Sequence, residues 1–259
     1  MDAVSQAGFK LPAIRPIDGE QPWLWLAAGW RDLCRHPGIS LGYGAVFTLA
    51  SYALTAALVY FDLLVLLLPL AAGVMFVGPM LAVGLYELSR RIETGQPVRI
   101  RDIVLVVTRS PTQIALIGLI LAFFMLAWVR IATLLFALFF GSGTPPLDQL
   151  LNTLLFGVQG LSFLAVGGAV GAVLAFFAFA ISAVSIPRLM VQDTDAVTAI
   201  ATSLAAVGRN VWPMLLWGWL IALMTAVGIA TLYIGLILTF PLIGHATWHA
   251  YRALVDEAI

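Results

Sequence analysis

Two histidines, His245 and His249, stand four residues apart near the end of the apolar run TFPLIGHATWHAYRAL, residues 239–254. On a helix that spacing puts both imidazoles on one side, where they could share a divalent metal ion. A third ligand is suggested by the earlier segment GPMLAVGLYELSRR. Aligning its Pro79 with Pro241 also aligns Arg90 with Arg252 and sets Glu87 opposite His249. No further histidine and no HExxH motif accompanies the pair, so the competing reading is the expectation: His245, Trp248, His249 and Tyr251 form an amphipathic belt at a membrane interface, and no cofactor is bound. A bis-histidine haem is not supported, because two imidazoles on one helix face cannot reach opposite faces of the ring.

The other polar groups in apolar surroundings also admit two uses each. Thr48, Ser51, Tyr52 and Thr55 make a polar stripe that could line a solute or lipid path; interhelical hydrogen bonding is the commoner use of such a stripe. Arg130 could contact a lipid phosphate, pair with Asp62 or Asp148, or snorkel to an interface. Glu87 with Arg90 or Arg91 reads as a surface ion pair, worth at most about 1 kcal/mol. Walker and dinucleotide loops, a Ser/His/Asp set and a buried acid pair are all missing from the sequence, and a non-enzymatic protein is expected.

These residues need a membrane to position them. The 259-residue chain is 62% hydrophobic and 10% charged, far below the quarter typical of soluble domains. No Lys/Arg-rich run points to nucleic acid. The lone Cys34 excludes an internal disulfide and reads as a reduced, packed thiol.

Residues 1–20 lack a signal peptide's apolar core and read as a mobile cytosolic tail. Residues 21–36 have apolar groups at helical spacing, with Arg31, Asp32 and Arg35 largely on another face, which predicts an interfacial helix. The run to Phe61 is long enough for a hydrocarbon core of about 30 Å. Leu63 to Leu88 returns as a second span kinked by Pro69, Gly73, Gly78 and Pro79.

Gln96 to Arg109 repeats the opening pattern of Gln-Pro, short amphipathic helix and a basic residue before proline; the third span starts near Pro111. Residues 141–160 form an outer loop whose Leu147, Leu150, Leu151, Leu154 and Leu155 are spaced as a short amphipathic helix. Leu161 to Ile186 is the fourth span, with Gly167, Gly168 and Gly171 open to close helix approach. Asp193 to Gly208 is a third interfacial helix with Asp and Thr at its start. The last run fits two spans turned near Thr231 to Gly235.

The expected fold is therefore all-α: six transmembrane helices in three repeats of interfacial helix plus hairpin, units 21–95, 96–192 and 193–259, after the tail 1–20. Arginines at 31, 35, 90, 91, 99, 101, 109, 188, 209 and 252 fall on one side of that scheme and Arg130 alone on the other, placing both termini in the cytosol. If the units surround a pseudo-threefold axis, Glu87, Ser185 and His249, each one turn before Arg90, Arg188 and Arg252, converge.

The strings GPMLAVGLYELSRRIETG, VSIPRLM followed by DAVTAIATS, and LIGHATWHAYR resemble blocks of a proteobacterial integral-membrane family known as domain of unknown function 2189, over about residues 25–255. The resemblance implies a bacterial inner-membrane protein and no defined activity. The leading functional reading is a structural or accessory subunit that packs against another membrane protein or itself. The alternatives are a small-solute or lipid transporter or binding protein, and a metal- or haem-associated respiratory accessory protein.

Overall fold

The computed structural model describes residues 11–141 and 147–257. Among them the regular secondary structure is helical, with one isolated bridge, Ile14 to Val255. Five helical stretches are long and apolar enough to cross a membrane: Pro37–Tyr60, Leu64–Glu93, Pro111–Phe140, Val158–Val191 and Val211–Ala230. The expected sixth, α12 (Leu236–Leu254), is one continuous helix but is not among them, because its second half carries His245, Thr247, His249 and Arg252.

Helix α1 (Gln21–Arg35) runs through a break at His36 into α2 (Pro37–Tyr60). After Asp62, whose φ is +56°, a short 3-10 turn (Leu64–Leu66) leads to α3 (Leu67–Leu81) and α4 (Val83–Glu93). The kink between them follows from Pro79, which has no N–H for the Met75 carbonyl. Then come α5 (Ile100–Val104), α6 (Pro111–Phe140), α7 (Leu147–Phe156) and α8 (Val158–Ser182). A break at Ala183–Val184 separates α8 from α9 (Ser185–Val191); Pro187 cannot donate to Ala183, and the Val184 N–H turns aside to Ser203 Oγ at 3.1 Å. Finally α10 (Ala196–Arg209) is capped by Asp195, which accepts from the Thr198 N–H at 2.9 Å, and α11 (Val211–Ala230) turns through Leu232 and Tyr233, both at positive φ, into α12.

Two groups of helices result. In one, α12 is packed by α1, α2, α4 and α11; in the other, α3, α6 and α8 pack together over α9 and α10. Helix α12 is the centre of the first group: Ala246, Trp248, Tyr251 and Leu254 are all fully buried. Its neighbours reach it through glycines. A Cβ at Gly29 of α1 would stand 2.7 Å from the Ala246 nitrogen, and one at Gly44 of α2 would collide with the Ile237 carbonyl oxygen. That carbonyl is the one left without its helical donor by Pro241, so the close backbone approach falls where the helix ladder is open.

Several expectations change. Helix α1 is not a simple surface helix: Asp32 is 4% exposed and lies with Trp25, Gly29 and Leu33 on the face toward α12. Residues 11–20 are held down, not mobile: Arg15 N donates to Leu254 O at 2.9 Å and Ile17 N to Asn210 Oδ1 at 2.9 Å; residues 1–10 lie outside the described residues. The short helix expected within 96–109 is the five-residue α5, after which Val104, Leu105 and Val107 form an exposed apolar edge. Cys34 is exposed, not packed. Of the apolar face expected in α7, Leu154 is buried and Leu155 exposed; the side chains of Leu147, Leu150 and Leu151 lie outside the described residues.

Candidate functional site

The polar centre of the protein is a chain of five side chains from four helices. His245 on α12 is fully buried, with Nε2 3.0 Å from Ser40 Oγ on α2 and Nδ1 2.8 Å from Ser89 Oγ on α4. Ser89 donates to Asp32 Oδ2 on α1 at 2.8 Å, and His249 Nε2 lies 2.8 Å from the same oxygen. One proton assignment satisfies every member. Because the Ser89 hydroxyl hydrogen goes to Asp32, its oxygen accepts from His245 Nδ1–H; Nε2 then accepts from Ser40, and His249 Nε2–H donates to Asp32.

Asp32 is the hub, and its charge is held there by its partners. Burial by itself would push its carboxyl up, but the hydrogen bonds from His249 and Ser89, with the electrostatic effect of the two imidazoles beside it, outweigh that and hold it below the ordinary carboxylate value. Arg35 Nη1 stands 4.0 Å away, on the exposed side.

The interface belt expected of His245, Trp248 and Tyr251 is therefore corrected to an interior seam: α1 lies over the polar half of α12 and takes these residues away from any lipid boundary. Trp248 donates to Glu93 at 2.8 Å, where Arg252 also binds at 3.0 Å. Glu87 is not a surface partner either. It is 4% exposed, with one oxygen 2.7 Å from Arg90 Nε and the other 2.7 Å from Arg91 Nε; Arg91 continues to Asp102 at 2.9 Å.

Helices α4, α9 and α12 do meet one another, yet Glu87, Ser185 and His249 are not linked. Glu87 turns to its arginines, Ser185 Oγ donates to Ile181 O at 2.6 Å, and His249 turns to Asp32. A metal shared by His245, His249 and Glu87 finds no assembled site: both nitrogens of His245 are hydrogen-bonded, and among the described residues no three His, Cys, Asp or Glu side chains are grouped to hold an ion.

The stripe on α2 makes bonds between helices and along its own. Thr48 donates to Tyr233 O at 3.1 Å, Thr55 lies 3.2 Å from the Tyr233 hydroxyl, Tyr52 reaches Leu232 O, and Ser51 bonds Phe47 O at 3.0 Å. These bonds tie α2 to the α11–α12 turn, which is strained at two non-glycine positive-φ residues. Arg130 is exposed in a stripe with Leu126 and Leu134 on the outer face of α6. It makes no ion pair with Asp62; the Asp148 side chain lies outside the described residues.

A second feature was not read from the sequence. Between the two helix groups lies an apolar cleft of about 310 Å³, walled by α3, α8, α11 and α12. Small residues make the space: Gly78, Ala82, Ala175, Gly218, Ala222 and Gly244 all line it. Its few polar groups include Tyr86, Ser182 and Thr247. Neither His245 nor Ser40 borders it, so the histidine seam and the cleft are separate features.

No curated protein and no solved structure matches the chain. Residues 67–193, from the start of α3 to just beyond α9, match the family described as a predicted integral membrane protein, domain of unknown function 2189.

Proposed function

We propose that the protein is a non-enzymatic membrane protein that binds a long apolar molecule in the central cleft. The observation that carries this is the cleft itself: about 310 Å³ of space, bordered by exposed aromatic residues at Phe176 and Trp219. A cavity of that size lined by small apolar groups is a binding volume, and its setting among membrane-crossing helices makes lipid the available occupant. The sealed polar seam supports the non-enzymatic reading, since Ser40 and His245 are both fully buried and lie away from the cleft.

The test is extraction in mild detergent followed by mass spectrometry of bound lipid. Wild type should retain lipid at about one molecule per chain; Gly218→Phe, whose side chain would fill the cleft beside Phe179, should lose most of it while keeping its thermal midpoint. Equal lipid in both proteins would sink the reading.

The accessory-subunit reading rests on a different observation: Gly167 and Gly168 on α8 have open space around them, whereas Gly171 is filled by Trp128. The mass of the same preparation by light scattering separates the two readings, a lipid-bearing monomer favouring the cleft and a stable assembly favouring the subunit.

The proposal includes six crossings, with α12 as the sixth because the protein, not lipid, surrounds its polar half, and a bacterial inner membrane with the arginine-rich end in the cytosol. Reporter fusions after residues 20, 95, 195 and 259 should then report cytosol, and those near 62, 145 and 233 periplasm. A periplasmic C-terminus would remove the six-span arrangement.

A further inference from the structure

The cleft runs lengthwise between the helices. Along α8 it is lined from Ala172 to Ala183, along α11 from Met214 to Thr225, and along α12 from Leu236 to Thr247. Each of these stretches is about 16 Å long at a helical rise of about 1.5 Å per residue, close to half of a hydrocarbon core about 30 Å thick. The near end of the cleft adjoins the arginine-rich end, where Tyr86, Ser182 and Thr247 lie one to two turns inward from Arg90, Arg188 and Arg252, and its far end reaches Leu236 at the start of α12. An acyl chain anchored at that end would enter the cleft one to two turns below the arginines and run along it.

At the headgroup level stands an available cation. Arg209 closes α10 at the corner where the chain turns into α11. It is exposed and enters no ion pair among the described residues; the adjoining N-terminal segment carries Asp18 and Glu20, and neither pairs with it. From that corner Trp212, Leu215 and Trp219 follow at i, i+3 and i+7 on one side of α11. Trp212 is 81% exposed, while Leu215 and Trp219 line the cleft. The face thus passes from a cation through an interfacial indole to an apolar wall, the order of groups in a phospholipid.

Resting on the apolar-ligand reading above, we infer that the occupant is a phospholipid of the leaflet at the arginine-rich end, one acyl chain in the cleft and its phosphate at Arg209. Arg209 is chosen because it heads the α11 face that lines the cleft; the arginines flanking the cleft on the other helices are engaged, Arg90 and Arg91 by Glu87, Arg188 by Glu257 and Arg252 by Glu93.

The experiment compares two probes on the full chain in neutral-detergent micelles at low salt: phosphatidylglycerol, and diacylglycerol with the same acyl chains and no phosphate. Wild type should bind phosphatidylglycerol about fivefold more tightly, the effect of one arginine near an anionic headgroup. Arg209→Gln should remove that preference without weakening diacylglycerol, and Arg209→Lys should retain most of it. Equal affinity of wild type for the two probes, or a preference that survives Arg209→Gln, overturns the phosphate assignment while leaving the cleft reading intact. If Gly218→Phe weakens neither probe, the cleft is not the site and both readings fall.

Discussion

Asp32→Ala is expected to cost about 3–5 kcal/mol of unfolding free energy, because it strips the acceptor from two buried or half-buried donors at once. Ser89 and His249 both donate to Asp32 Oδ2 at 2.8 Å, and His245 is oriented by Ser89 in turn. Removing the carboxylate leaves this set without its negative charge beneath a helix that has little else polar facing inward. The measurement is reversible unfolding in mixed micelles. A double cycle with His245→Ala should show strong coupling, since the two residues share Ser89; additive losses would mean that the chain of bonds does not act as a unit.

The same residue contributes to the acid sensitivity. Its folded-state value lies below the ordinary carboxylate value, so its contribution is complete above about pH 4 and is lost as pH falls through the folded value. Wild type should lose stability in that acid range, and Asp32→Asn should lose less there. Identical acid profiles would assign the loss to other carboxylates.

Gly44→Val is expected to disrupt packing by about 3 kcal/mol or more, the upper range for overpacking, because its obstacle is backbone and cannot rotate away. The built Cβ meets the Ile237 carbonyl oxygen, carbonyl carbon and Cα. The expected signs are a lowered thermal midpoint and easier proteolysis of α2. Gly42→Val, two residues away in open space, should be close to neutral and serves as the control. Equal behaviour of the two variants would show that α2 and α12 are not in contact at this point.

The alternation of apolar runs with arginine-flanked breaks was legible in the sequence, because crossing a hydrocarbon core requires length and apolarity in every residue of a segment. The same local rules found the turn at 231–235 and the kink after Pro79, and placed the start of α10 at Asp193, three residues before its first helical residue Ala196, each of which depends on neighbours within a few residues. His245 and His249 were found for the same reason: two imidazoles in an apolar run stand out.

Their partners were not legible. Asp32 follows Trp25 and Gly29 at i+7 and i+3, a spacing that places it on the inner face of α1, but a charge flanked by Arg31 and Arg35 reads as solvent-facing until a buried histidine is known to wait opposite it. Ser40 and Ser89 are ordinary serines in the sequence, 205 and 156 residues from His245, and only the packing of α2 and α4 against α12 makes them its neighbours. Glu87 stands three and four residues from its arginines, so the pairing was visible; its burial was not, because that depends on helices from other parts of the chain. The cleft is the extreme case. It is a space left where small residues on separate helices face one another, and space between helices has no residue of its own to be read, so only the tertiary arrangement determines it.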